Sequence, residues 1–186
     1  MVGITRRFGD LVANDRVDLE VRPGEVVGLL GENGAGKTTL MNILYGLYSA
    51  DEGEILINGA PVRLSAPRDA MAAGIGMVHQ HFMLVQKHTV AENVVLGTRG
   101  ARWLFPAREI ERGLAEFSRR YGLAIDPRSR VWELSAGQQQ RVEILKALFQ
   151  GADLLILDEP TSVLTPAEAE ELFRVLERMA AEGHSV

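Results

Sequence analysis

The nine residues Gly31-Glu32-Asn33-Gly34-Ala35-Gly36-Lys37-Thr38-Thr39 constrain this chain more than any other stretch. They follow the apolar run Val26-Val27-Gly28-Leu29-Leu30, which reads as a strand, and precede Leu40 to Tyr48, which reads as a helix. Glycines let a backbone turn with positive φ and approach a ligand closely. The N–H groups of such a loop, with the first turn of the next helix, converge into an anion cradle. Lys37 adds a point charge suited to β- and γ-phosphates, and the Thr38 hydroxyl is a hard ligand for Mg²⁺. Gly31, Asn33, Gly34, Ala35, Gly36, Lys37, Thr38 and Thr39 are therefore the candidate phosphate-binding residues. A plain glycine turn before a helix is the simpler alternative, but the strand–loop–helix context argues against it.

The 186 residues suit one domain with a real core. A formal charge of −5 speaks against binding nucleic acid through overall charge. The chain has no cysteine, which excludes disulfides and thiolate metal sites and fits a reducing compartment. No apolar stretch reaches the roughly 18–20 residues that span a bilayer, so a membrane role needs a partner protein.

Short β-like pieces occupy residues 1–27, with a turn at Arg22 to Glu25. Glu54 to Ile57 reads as a strand closed by Asn58-Gly59, the dipeptide of a tight hairpin. Arg68 to Ala73 reads as a short helix and Gly74 to Val78 as a strand. Asn93 to Leu96 and Ala107 to Tyr121 read as helices, the second with Ile110, Leu114 and Phe117 on one face. Arg99, Arg102, Arg108, Arg112, Arg119, Arg120, Arg128 and Arg130 make this region locally basic, either as a solvated face or as a contact for an acidic partner or lipid. Ser135 is placed to cap a helix carrying Val142, Leu145 and Phe149 on one face. Asp153 to Leu157 suits a parallel strand buried on both faces. Thr165-Pro166 opens a helix that runs to about Glu182.

Asp158 and Glu159 follow that buried strand at the edge where open α/β sheets bind ligands. Asp158 is placed to hold Mg²⁺ through its water shell, and Glu159 to polarise a water against a γ-phosphate. Without the glycine loop these two would read as an ordinary acidic strand end. Gln80, just after the strand ending at Val78, offers a neutral amide to the metal and the attacking water, though a lone glutamine carries little signal by itself. Gly137, after Ser135, removes side-chain bulk where a ligand approaches; an ordinary helix cap is the competing reading.

The order of these pieces, phosphate loop, Gln80, Leu134-Ser135-Ala136-Gly137-Gln138, then Asp158-Glu159, resembles the nucleotide-binding domain of ATP-binding-cassette (ABC) ATPases over essentially the whole chain. The resemblance implies an α/β fold, a P-loop NTPase (RecA-like) core with an antiparallel β subdomain and a helical subdomain inserted at about 88–140. It implies ATP and Mg²⁺ as cofactors, with Thr38, Gln80 and Asp158 toward the metal and Glu159, Gln80 and Lys37 as catalytic residues. It matches Phe8 to the aromatic residue that stacks on adenine. It directs Ser135, Gly137 and Gln138 to the γ-phosphate held by a second cassette in a head-to-tail dimer. The stretches Met77 to Val85, Leu40 to Leu47, Arg141 to Leu148 and Asp158 to Pro166 look like the simple-sugar and nucleoside importers, with Thr165 where most cassettes have aspartate.

That subgroup implies transmembrane permease subunits, an extracytoplasmic substrate-binding protein, and a peripheral place on the cytoplasmic face of the plasma membrane. It implies no nucleic-acid partner. His79 and His81 then flank Gln80 near the surface that meets the permease, rather than forming a metal pair. The rivals are a soluble, non-transport ABC ATPase and a nucleotide-binding fragment without turnover.

Two departures from the family pattern suggest a fragment or a truncated gene. Met1 to Ile4 looks like the middle of the first strand. After Val186 the family has a strand, lying between the phosphate-loop strand and the Asp158 strand, that leads to a switch histidine; His184 is not its match. Residues 1–186 alone are accordingly expected to show little steady-state phosphate release from ATP, and turnover at the rate of intact cassettes would refute this.

Overall fold

The computed structural model describes residues 1–96 and 107–186; Arg99 and Arg102 of the basic stretch lie outside them. Two sheets and the helices around them form two apolar clusters. The first sheet is antiparallel, with strands β1 (Val2–Phe8), β2 (Leu11–Val17), β3 (Glu52–Ile57) and β4 (Ala60–Val62) in the order β2-β1-β3-β4. The hairpin at Asn58-Gly59 forms as its sequence predicts. Both residues take positive φ, 52° and 78°, the mirror-image turn that matches strand twist. Between β2 and β3 lies helix α1 (Lys37–Leu44), and after the hairpin comes α2 (Pro67–Ala72), with proline in its first turn.

The second sheet is a parallel pair, β5 (Ile75–Val78) and β6 (Leu154–Leu157). All four β5 residues are buried, as a strand covered on both faces requires. Side chains alternate between the two sides. Ile75, Met77 and Ile156 join Ile4, Leu40 and Ile43 under the antiparallel sheet. Val78 and Leu155 join the larger cluster built by the helices. Those helices are α3 (Val90–Val95), α4 (Ala107–Tyr121), α5 (Ala136–Phe149) and α6 (Pro166–Ala181). Gly76 is required where α5 crosses β5, since a Cβ there would come within 2.9 Å of the Ala152 Cβ and 3.0 Å of the Ala147 Cβ.

Several local outcomes differ from the sequence reading, among them α3, which starts at Val90 rather than Asn93, and β3, which starts at Glu52 rather than Glu54. Helix α1 starts at Lys37, inside the glycine loop, and ends at Leu44 before Gly46, whose φ is 77°. Helix α5 buries Ile144 and Leu148 as well as Val142 and Leu145, while Phe149 stays 37% exposed, because the helix is enclosed by β5, α3 and α6. The run Val26 to Leu30 is not a regular strand. Among the described residues its ladder bonds are confined to one pair with Val186, Val27 N–H to Val186 O at 2.8 Å and Val186 N–H to Glu25 O at 2.9 Å. A single pair of bonds does not order five residues, and Leu30 is 93% exposed. Ser185, beside Val186, bridges in parallel to Leu154 of β6, so residues 185–186 lie between the phosphate-loop run and β6, where the family resemblance puts the strand that follows.

Helices α3, α5 and α6 each start with a capping box, Thr89 with Glu92, Ser135 with Gln138 and Thr165 with Glu168. In the last, Glu168 accepts from Thr165 N–H at 3.0 Å and from the Ser135 hydroxyl at 2.9 Å, tying α6 to the start of α5. These bonds hold its carboxyl below the usual glutamate value, the Thr165 N–H contributing most and the Ser135 hydroxyl next. A lowered folded-state pKa stabilises above the unfolded value of 4.5 and ceases to do so as pH falls through the folded value. The stability advantage of the native chain over Glu168→Gln is expected to be present at neutral pH and to shrink below pH 4.5, as followed by urea denaturation. Leu145, fully buried, is expected to cost about 2–5 kcal/mol on replacement by alanine in the same assay.

Candidate functional site

The phosphate loop adopts the conformation its glycines permit. Gly34 and Gly36 have φ of 84° and 86°. At Gly36, the residue capping α1, a Cβ would approach Ala13 O to 2.2 Å, a clash with backbone that cannot be relieved by a rotamer change. Asn14 of β2 donates from Nδ2 to Gly36 O at 3.2 Å, so the antiparallel sheet braces the loop where α1 begins. The Lys37 ammonium lies across the loop, donating to Gly31 O at 2.7 Å and Glu32 O at 2.8 Å. An ammonium has three donors; the third, with the charge, remains for a phosphate oxygen.

The parallel register assembles the opposite wall. Val78 of β5 pairs with Leu157 of β6. Two residues further along each chain stand Gln80 and Glu159, and the Gln80 Nε2 donates to Glu159 Oε2 at 2.9 Å. One residue after Leu157, Asp158 donates its N–H to Val78 O at 3.1 Å, carrying the ladder to the edge of the sheet. Its Oδ1 accepts from the Thr38 hydroxyl at 3.3 Å, joining the first helical turn of α1 to the end of β6. Glu159 has φ of 49°, a left-handed conformation unfavourable for a side chain of its type. That turn is held by Ser162 Oγ donating to Glu159 O at 2.9 Å and by the buried Gln140 donating to Pro160 O at 2.7 Å.

Thr38 Oγ1 and Asp158 Oδ1, joined by that hydrogen bond, are hard oxygens of the kind Mg²⁺ takes, and would hold the ion with Thr38 as a direct ligand and Asp158 acting through its water shell. With the Gln80 amide close by, the donor set fits that ion. Among the described residues no group of three or more histidine, cysteine, aspartate and glutamate side chains could hold a metal ion. His79 instead packs edge-on to Tyr45, ring centroids 5.9 Å apart.

The structure brings Lys37, Thr38, Gln80, Asp158 and Glu159 together, but Ser135, Gly137 and Gln138 lie elsewhere. Among the described residues the contacts of these three go to their own helix and to Glu168, none to the phosphate loop. The Ser135 hydroxyl accepts from Gln138 N–H at 3.3 Å, and the Gln138 side chain accepts from Ser135 N–H at 2.9 Å. At Gly137 a Cβ would lie 2.6 Å from Glu168 Oε1, so a side chain there would require Glu168 to shift. Sequence reasoning missed Glu168 in this role, although the Thr165-x-x-Glu168 spacing is a capping-box signal. It also missed Asn14, for which no sequence signal exists. Phe8 ends β1, 40% exposed, at the far end of the β1–β2 hairpin from Asn14. From Asn14 to Leu11, which pairs with Phe8, is three residues, or about 10 Å of strand.

Comparison with known proteins follows the same lines. Residues 14–162 match the ABC transporter family profile. The chain is 53% identical to the glucose import ATP-binding protein TsgD13 of Haloferax volcanii over all of this chain and 39% of that protein. It is 51% identical to the nucleoside import ATP-binding protein NupA of Lactococcus lactis subsp. cremoris, over 100% of this chain and 37% of that one. It therefore spans less than two-fifths of the length of these relatives. The crystal structure of the ADP conformation of MJ1267, an ATP-binding cassette of an ABC transporter, superposes with a TM-score of 0.88 at 27% identity, covering 99% of this chain and 77% of that one. A dimeric post-hydrolysis state of the cassette MJ0796, bound to ADP and Pi, gives a TM-score of 0.78 at 28% identity, covering 100% and 83%. With its glycine loop, its parallel-strand carboxylates and this likeness along its whole length, the chain belongs to the ABC transporter family and has the P-loop NTPase fold of its cassettes.

Proposed function

We propose that this chain is an ATP-binding and ATP-hydrolysing cassette that energises import of a sugar or nucleoside through separate membrane permeases. The observation that carries the reading is the convergence of Lys37, the Thr38–Asp158 pair and the Gln80–Glu159 pair at one edge of the parallel sheet. The names of the glucose and nucleoside import relatives support the cargo class.

In this reading the amides of Gly34 to Thr39 and the Lys37 ammonium hold the β- and γ-phosphates. Thr38 and Asp158 hold Mg²⁺, which when bound offsets the charge of the phosphate oxygens. Glu159 accepts the proton of an attacking water, and Gln80, hydrogen-bonded to it, fixes the direction in which the carboxylate points. Phe8 stacks on the adenine.

Ser135, Gly137 and Gln138 reach the γ-phosphate of a second cassette in a head-to-tail dimer. The absence of any contact from them to their own loop, among the described residues, supports this, as does the dimeric state of MJ0796. The described residues within about 88–140 are assigned to the helical subdomain. The permease docks beside Gln80, where Tyr45, His79, Met83 and Glu143 line a cleft of about 130 Å³. Among the described residues no helix is long and apolar enough to cross a membrane, which fits a peripheral position on the cytoplasmic face. An extracytoplasmic binding protein delivers the cargo to the permease.

Lys37→Ala is expected to weaken Mg·ATP binding about 10- to 100-fold in equilibrium titration, the loss of a charge-assisted phosphate contact. Glu159→Gln, in a paired cassette, is expected to keep nucleotide affinity while phosphate release at saturating ATP falls about 10²- to 10⁴-fold. Unchanged hydrolysis in that variant would remove Glu159 from its role.

A further inference from the structure

The aromatic ring assigned to the nucleotide base does not stand alone. The Arg6 guanidinium lies over the Phe8 ring, 4.8 Å from its centroid, and 6.0 Å from the Tyr48 centroid. The Phe8 and Tyr48 centroids are 5.5 Å apart with their planes at 76°. These three separations close a triangle of similar sides. Arg6 and Tyr48 are therefore on adjacent sides of Phe8, and the face opposite Arg6 carries neither.

Arg6 is itself fixed. Its Nη1 donates to Asp51 Oδ1 at 2.8 Å, and Asp51 Oδ2 accepts from Arg7 N–H at 2.6 Å. The Arg7 N–H foremost, and the Arg6 charge after it, hold the Asp51 carboxyl below its usual value. The carboxylate is anchored in turn by its own backbone, Asp51 N–H donating to Thr5 O at 2.8 Å. Arg6 and Phe8 share one face of β1, being two residues apart in a strand.

From this geometry we infer that Arg6 is a positioning residue for the nucleotide base, acting through Phe8. The inference rests on the reading of Phe8 as the adenine platform. An arene presents negative π-density to a stacking partner. A cation on the far face draws that density away and locks the ring plane, so the open face stacks better on an electron-rich purine. Asp51 holds the guanidinium at that distance, and Tyr48, edge-on, blocks the ring from swinging aside. The device distinguishes ligands that carry an aromatic base from those that carry phosphates alone.

The test compares binding of Mg·ATP and Mg·tripolyphosphate, which has no base, to the full chain by titration calorimetry. Arg6→Met is expected to weaken ATP about three- to tenfold, the worth of one cation–π contact, and to leave tripolyphosphate unchanged. Arg6→Lys, which keeps the charge and the Asp51 partner, is expected to retain most of the ATP affinity. In a Phe8→Ala background, Arg6→Met is expected to have no further effect. Equal losses for both ligands, or a loss that persists without Phe8, would overturn the inference and show a merely structural role. If Phe8→Ala leaves the ratio of the two affinities unchanged, the adenine platform itself fails and the inference with it. Loss for Phe8→Ala but none for Arg6→Met sinks the inference alone.

Discussion

Four backbone pairs between Ile75–Val78 and Leu154–Leu157 set the geometry on which the site depends. Parallel strands run about 4.8 Å apart with their side chains in register, so residues equally far beyond each strand end emerge side by side. Gln80 and Glu159 meet for this reason, though 79 positions separate them. Slipping the pairing by one residue would turn Glu159 away from Gln80 and move Ile156 out of the apolar cluster it shares with Ile4 and Leu40. The same burial that holds the strands together thus fixes where the carboxylates emerge.

Beside the apolar packing of Leu40 and Ile43 against the sheets, small polar contacts join the loop to them. Asn14 bonds to Gly36 O on one side, and Thr38 bonds to Asp158 on the other. Both contacts fall in the first turn of α1, where backbone N–H groups lack helical partners and a ligand can take their place. The positive φ of Glu159 is a cost carried at the turn where Asp158 and Glu159 leave the end of β6. Gln140 and Ser162 bear it locally, both bonding to the carbonyls of the turn.

The second polar centre, around Ser135, is built on a different logic. Glu168 accepts from Thr165 at the start of α6 and from Ser135 at the start of α5, so one carboxylate caps two helices. Its oxygen lies over Gly137 where any side chain would stand. The start of α5 at Ser135 is thereby tied to the start of α6.

The order of motifs, the hairpin at Asn58-Gly59, the caps at Ser135 and Thr165, and helix α4 were all legible in the sequence, because each is written in local spacing or in one residue's conformational preference. So were the buried strand before Asp158 and the chemical types at the site. The sequence could not show that Asn14 braces Gly36, that Glu168 reaches Ser135, or that Arg6 lies over Phe8 and is held by Asp51. Those contacts join residues far apart in the chain, except the pair on β1, and their distances are set by sheet register and helix packing. Residue chemistry and short-range pattern thus determined what could bind, while the tertiary structure alone decided which side chains meet, because meeting depends on the packing of whole elements.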